Sequence, residues 1–455
     1  MLRNYVRVYT RVFRPPTLTC RSISISDAHD HEQVTLAALA CDFHTEQSLN
    51  LETRSTLKVA MGEFDAFQET FPVDHYLEVM VRLLDAVQYR EVNHTQAERR
   101  DILHYVYTKT AEHFSSRSLQ SLIQAEPSVL QAAINTIVPM VVYCWAKVTT
   151  EQMADLSIQF TLLLLLDDST DDRGASMESF FQDLVENRTQ RNAWWRLFNE
   201  RFPVLLRHYG PFCSLALFRS SLDFFQGCWI DRHNFQGLRG AHDYPQFLRR
   251  LTGLGQFVTA SLFPGTPTRE RELMLQVTSA MPHLDHWEIF VNDVMSFYKE
   301  FDRVDDQAIL VRNYVRCGSQ ASIEEGLNRV ASDAIGRTEI LCSVFRDNKD
   351  MEPHVAATVE AFCQGYITWH LSEPRYRLRE LGEHGGDSAV AQKFRKYLDA
   401  GAQASIDSEH WAYPSVSVMA AAQLRSEAGS GDTASADGLV PSVDECPKLQ
   451  AAFVV

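Results

Sequence analysis

Between residues 153 and 172 the chain reads MADLSIQFTLLLLLDDSTDD, an apolar segment closed by four aspartates within six residues. Over 156–166 the side chains are apolar nearly all round a helix, which places such a helix inside a large bundle rather than on its surface. HYLEVMVRLLDAVQYREV (75–92) and LQAAINTIVPMVVYCWAKV (130–148) repeat apolar residues every three to four positions, and alternation of the β type is scarce. Glycine (20) and proline (16) are sparse in 455 residues, which favours helices over turn-rich sheets. The sequence therefore predicts an all-α fold from about 75 to 425, with loops at FPGTPT (263–268) and SEPRY (372–376) and no repeat of solenoid period.

The ends differ in character. Residues 1–60 lack a clear core pattern and are expected to be a poorly ordered extension; the helical domain spans 70–425, and 426–455 reads as a disordered tail. The first 26 residues carry five arginines and no acid before Asp27, a composition that resembles a mitochondrial transit peptide. Cytoplasmic location is the first expectation and mitochondrial targeting the second. Nine cysteines without a C-x-x-C pair fit no disulfide framework and suit a reducing compartment, so the sequons at Asn93 and Asn187 carry little meaning. A net charge of -16 argues against nucleic acid as partner. No apolar run reaches the roughly 20 residues of a membrane span.

Walker A, G-x-S-x-G and H-E-x-x-H sequences are absent, and LTGLGQF (251–257) lacks the third glycine of a dinucleotide loop. Two acidic constellations remain. Asp167, Asp168 and Asp171 end the leucine-rich helix, where acid opposes the macrodipole by a few tenths to about 1 kcal/mol per charge. Mutual repulsion adds to that cost, so the block is either a solvated helix end or a cation site. In VNDVMSFYKEFD (291–302), Asn292, Ser296 and Glu300 stand four residues apart along one helix stripe. An amide, a hydroxyl and a carboxylate are hard oxygen donors that suit Mg²⁺, and the neighbouring Lys299 could meet a phosphate. An ordinary polar helix face would show the same spacing.

The two motifs together, Asp-Asp-x-x-Asp followed by Asn-Asp-x-x-Ser-x-x-x-Glu, resemble those of the class I terpene cyclases. LDFFQGCWI (222–230), DYPQFLRRLTGLG (243–255), NDVMSFYKEFD (292–302) and TWHLSEPRYRL (368–378) narrow the resemblance to the fungal trichodiene synthase family, as do VVYCWAKV (141–148), ADLSIQ (154–159) and GPFCSL (210–215). It extends over about 70 to 420. It implies a class I terpene synthase helical bundle with its active site in an apolar central cavity. It also implies three Mg²⁺ ions and farnesyl diphosphate as substrate. Asp167 would be the principal ligand of the first motif, with Asp168 and Asp171 in support. Asn292, Ser296 and Glu300 would hold another ion. Asp231 falls where the family has a glutamate that also reaches metal. Arg249, Lys299, Arg375 and Tyr376 match the diphosphate contacts, although Arg250 could replace Arg249 and Tyr376 could be a core residue.

The implied reaction is ionisation of the diphosphate and cyclisation of the carbocation, with water excluded. Candidate walls are 156–166, Phe224, Phe225, Trp287 and Phe290, most of them better suited to plain core than to contact with a cation. Trichodiene-making members have tyrosines where this chain has Phe160 and Leu162, and lysine where Thr170 stands. That difference favours a sister product of the longiborneol type, an alcohol, with trichodiene as the alternative. A homodimer is a possible assembly. The competing functions are a chain-elongating prenyl diphosphate synthase, which should carry a second aspartate-rich motif, and a non-catalytic helical protein.

Overall fold

The computed structural model describes residues 71–430 apart from 92, 117–118, 120–126, 168–171, 233–236, 302–308 and 405–412. Of residues 167, 172–178, 232, 424 and 426–430 it describes the backbone alone. The N-terminal extension, Asp168, Asp171 and residues 431–455 thus lie outside the described residues.

Among the described residues the regular structure is helical throughout. The first half comprises α1 (Val73–Val87), α2 (Gln96–Ser115), α3 (Pro127–Cys144), α4 (Thr150–Asp167), α5 (Asp172–Val185), α6 (Ala193–Leu206) and α7 (Pro211–Arg232). The short α8 (Tyr244–Thr252), α9 (Gly255–Ser261) and α10 (Pro267–Glu272) lead into the longest helix, α11 (Met274–Glu300). After it come α12 (Leu310–Arg316), α13 (Ile323–Leu341), α14 (Pro353–Ser372), α15 (Leu378–His384), α16 (Ala389–Ala402) and α17 (Val416–Ser430). Of the two expected loops, 263–266 links α9 to α10, with Thr266 capping the new helix. Pro374–Tyr376 forms a single 3₁₀ turn just after α14.

Helix starts follow local chemistry. The Thr95 hydroxyl and the Glu98 carboxylate satisfy each other's backbone N–H groups in a full capping box at α2. Side chains of Asn192, Ser322, Glu352 and Ser388 cap α6, α13, α14 and α16. The leucine run behaves as its all-round apolarity requires. Leu162 to Leu166 are all buried, each worth about 1.5–3 kcal/mol over exposure. α3 is long and apolar enough, by length and composition, to cross a membrane, but two-thirds of it is buried within the protein, where it packs on α2, α4 and α14.

α3, α4, α7, α9, α11 and α14 carry the residues that converge on the middle of the bundle. α4 packs on α3, α3 on α14, α14 on α11, α11 on α9 and α9 on α7. Trp145, just past α3, donates from Nε1 to Ser261 Oγ at 2.9 Å and so ties α3 to the end of α9. Two glycines make the close approaches possible. A Cβ on Gly365 would lie 1.9 Å from the carbonyl oxygen of Tyr143, so α14 meets α3 backbone to backbone. A Cβ on Gly255 would lie 2.6 Å from the carbonyl oxygen of Asp285, where α9 meets α11.

Because backbone rather than a flexible side chain blocks the space at Gly365, Gly365→Ala is expected to destabilise the protein by about 1–3 kcal/mol or more. A drop in thermal midpoint and in the urea midpoint, with loss of activity following loss of fold, is the outcome to look for.

Candidate active site

α11 carries the donor stripe. Asn292, Ser296 and Glu300 are all buried. The Ser296 hydroxyl donates to Glu300 Oε2 at 3.0 Å, and Lys299 Nζ lies 3.1 Å from Glu300 Oε1. Burial by itself would raise the Glu300 carboxyl, but the Lys299 ammonium and the Ser296 hydroxyl outweigh it and hold the group at about 2. Glu300 is therefore an anion throughout the working range.

Next along the same helix stands Asp293, bonded through both carboxylate oxygens to Arg249 Nε at 2.9 and 2.8 Å. Arg249 Nη2 also donates to Asn292 Oδ1 at 3.1 Å. The two neighbouring arginines differ in surroundings. Arg249 is buried in the site, whereas Arg250 is exposed and faces Asp285 across 3.8 Å. Burial pushes the Asp293 carboxyl up to about 6, although the Arg249 charge opposes it.

α14 closes the network. Asn292 Nδ2 donates to His370 Nε2 at 3.1 Å, and His370 Nδ1 donates to the Tyr366 carbonyl at 2.7 Å. Those two bonds require one neutral tautomer, and burial holds the imidazole pKa down at about 3. Its fixed ring sets the Asn292 amide so that Oδ1 faces Arg249. The Tyr366 hydroxyl donates to Glu288 Oε1 at 2.8 Å. Burial pushes Glu288 up to about 7, with Arg249 and the tyrosine bond opposing.

Three of the four expected diphosphate contacts, Lys299, Arg375 and Tyr376, gather just at or past the C-terminal ends of α11 and α14. Lys299 Nζ lies 4.8 Å from the centre of the Tyr376 ring and the Arg375 guanidinium 5.2 Å from it. Tyr376 is fully buried against Trp369 and His370, and its hydroxyl has no hydrogen-bond partner among the described residues. Its ring is thus part of the core.

Asp167 is the last residue of α4 and Asp231 the penultimate residue of α7, where it is half-buried. Asp168 and Asp171 lie outside the described residues, as does the Asp167 side chain. Among the described residues no three His, Cys, Asp or Glu side chains converge in a way that could hold a metal ion. The donor set on α11 is instead amide, hydroxyl and carboxylate, with the carboxylate kept ionised, and that chemistry fits Mg²⁺.

Behind the polar network lies a cavity of ≈ 20 Å³ lined by Met140, Trp145, Phe160, Phe224, Leu254 and Tyr366, among others. Phe160, expected as a wall, lines it, with Trp145 and Phe257 at ring distances of 5.4 and 5.0 Å. Leu162, two residues on, is buried in the core. Phe224 also lines the cavity, but Phe225 belongs to a separate aromatic cluster, 4.6 Å from Trp195 and 5.5 Å from Phe180. Trp287 points to α13, donating to Thr338 Oγ1 at 2.8 Å. Phe290 is buried, with His286 at a ring distance of 6.0 Å.

Sequence reasoning missed Glu288, Asp293, Tyr366 and His370. Glu288 was within reach, because it stands one four-residue step before Asn292 on the stripe already identified. The α14 residues had no such signal, since only folding sets them opposite α11.

Residues 70–434 match the model of the trichodiene synthase family. The chain is 48% identical over 355 residues to the trichodiene synthase of Fusarium poae, which covers 77% of this chain and 93% of that one. The same identity over 355 residues holds for the trichodiene synthase of Fusarium sporotrichioides, covering 77% and 94%. The chain belongs to the trichodiene synthase family. A solved linalool/nerolidol synthase from Streptomyces clavuligerus, in complex with 2-fluorogeranyl diphosphate, aligns at a TM-score of 0.44 and 17% identity over 62% of this chain and 100% of that one. As a member of the trichodiene synthase family the chain is a class I terpene cyclase, a lyase of sesquiterpene biosynthesis acting on a prenyl diphosphate. The chain-elongating and non-catalytic alternatives fall away.

The buried Arg249–Asp293 pair supplies a test of how this site is held. Arg249→Met alone leaves a buried carboxylate unpaired and is expected to cost about 3–5 kcal/mol. Combining it with Asp293→Leu should recover most of that loss, and a double-mutant cycle of urea unfolding measures the coupling.

Proposed function

We propose that the chain ionises farnesyl diphosphate with Mg²⁺ and cyclises the resulting carbocation to a polycyclic sesquiterpene. What carries this is the buried oxygen-donor stripe of Asn292, Ser296 and Glu300 in a chain of the trichodiene synthase family. Asn292, Ser296 and Glu300 would hold one Mg²⁺, and Asp167 with its neighbours would hold the others of a three-ion set. Bound there, the metal would neutralise charge that builds on the departing diphosphate.

The chain's own residues do the rest. Lys299, Arg375 and the Tyr376 hydroxyl stand together as donors for diphosphate oxygens, with Tyr376 held protonated by burial. Arg249, tied to Asp293 through Nε and to Asn292 through Nη2, presents its remaining nitrogen from a fixed position and keeps the Asn292 amide aligned. Phe160, Trp145 and Phe224 line the cavity, and aromatic walls there would stabilise a hydrocarbon cation better than polar ones.

Of the two products weighed from sequence, the names of the relatives support trichodiene better than longiborneol. At 48% identity the relatives leave room for a different cavity, and Phe160, at a position where the resemblance implies tyrosine in trichodiene-making members, lines the cavity of this chain.

Incubating the purified chain with farnesyl diphosphate and Mg²⁺ should release diphosphate and give a sesquiterpene identifiable by gas chromatography and mass spectrometry against authentic trichodiene and longiborneol. Geranyl and geranylgeranyl diphosphate run alongside test chain length. Absence of any terpene product from all three substrates would sink the proposal. Asn292→Ala and Glu300→Ala are each expected to lower turnover by about 10²-fold or more, with the far-UV circular dichroism unchanged.

A further inference from the structure

Polar residues recur every fourth position along α11 from Glu288 through Asn292 and Ser296 to Glu300. Four residues turn an α-helix by about 400°, so each step advances the row by about 40°. Over three steps the row winds by about 120° and climbs about 18 Å along the axis. The donors at Asn292, Ser296 and Glu300 lie at one end of the row. Glu288 lies at the other and is one of the residues that line the apolar cavity.

Glu288 is buried, and only one of its oxygens is used. Oε1 accepts from the Tyr366 hydroxyl at 2.8 Å, while Oε2 has no hydrogen-bond partner among the described residues. Trp145, Phe160, Phe224 and Leu254 line the same cavity. A buried polar atom left unsatisfied costs about 1–3 kcal/mol, which an apolar residue of the same size would avoid. The cavity, at ≈ 20 Å³, admits one small group, about the size of a water molecule or a methyl. A carboxylate at that point is the strongest attractor of positive charge on the cavity floor, because an apolar surround screens it poorly.

We propose that Glu288 determines the product: its Oε2, oriented through Oε1 by Tyr366, accepts the proton that ends the carbocation cascade. In this step a C–H bond next to the cationic carbon breaks and its electron pair forms the C=C bond of the olefin. The proton bonds to Oε2 and leaves to solvent as the product departs. Tyr366 is the positioning residue, since it acts through Glu288. The assignment rests on the cyclisation of farnesyl diphosphate proposed above.

The test runs the wild type, Glu288→Gln and Tyr366→Phe with farnesyl diphosphate and Mg²⁺ in ¹⁸O-labelled water, measuring diphosphate release and product profile separately. The wild type should give an olefin free of ¹⁸O. Glu288→Gln keeps the shape and can still accept from Tyr366, so it should slow diphosphate release by less than about tenfold. The share of the wild-type product should fall by more than about tenfold, replaced by other olefins or labelled alcohols. Tyr366→Phe should shift the profile in the same direction and less far. An unchanged profile in Glu288→Gln would overturn the assignment, because the proton then goes elsewhere, for instance to the released diphosphate. A labelled alcohol as the main wild-type product would overturn it too, since water rather than Glu288 would then end the cascade. If Glu288→Gln does not fold, an unchanged profile in Tyr366→Phe decides against it. Absence of both diphosphate release and product in the wild type would remove the cyclase proposal itself, and this one with it.

Discussion

The guanidinium of Arg249, buried between α8 and α11, connects the polar parts of the site. It clamps Asp293 through Nε and the Asn292 amide oxygen through Nη2. Asn292 in turn fixes His370, and His370 is anchored on the carbonyl of Tyr366, whose hydroxyl holds Glu288. Three helices, α8, α11 and α14, are joined by one continuous run of hydrogen bonds. In a low-dielectric interior each member is costly if left unpaired, so the run behaves as a unit rather than as separate contacts. Asn292 keeps a single orientation because a neutral histidine on one side and a cation on the other admit no flip.

α11 divides the labour along its length. At its C-terminal end Glu300 is held as an anion beside Lys299 and Ser296, among groups suited to phosphate and metal. Three turns back, burial pushes the Glu288 carboxyl up to about 7 in an aromatic and aliphatic surround. Two glutamates on one helix thus have opposite protonation tendencies. The difference comes from neighbours: an ammonium beside one, and indole, phenyl and leucine side chains around the other. A class I terpene cyclase needs both conditions close together, ionisation at a polar mouth and a hydrocarbon cation in an apolar space, and under the proposed function a single winding row of side chains would serve both.

Much of this was legible in the chain. All-round apolarity of 156–166 placed a buried helix, and the four-residue spacing of Asn292, Ser296 and Glu300 placed three oxygen donors on one face. Periodicity needs only local geometry, so both expectations hold in the structure. Choices that depend on which way a side chain points across the bundle were not legible. Phe224 lines the cavity while its neighbour Phe225 packs into an aromatic cluster, and Trp287 turns to Thr338. Adjacent residues on a helix point about 100° apart, and only the neighbouring helices say which direction is the cavity.

The sequence by itself determined an all-α fold, the membership of the trichodiene synthase family and the positions of the donors on α11, because helical period and residue chemistry are carried by short stretches of chain. Only the tertiary structure decided that Arg249 rather than Arg250 bonds the α11 donors, that His370 locks Asn292, and that Glu288 lines the cavity and keeps one buried oxygen without a partner among the described residues. Each of those depends on α14 or α8 being folded against α11, with partners 43 to 78 residues away in sequence for the bonds concerned. No local pattern encodes a contact at that separation. It arises when the helices pack.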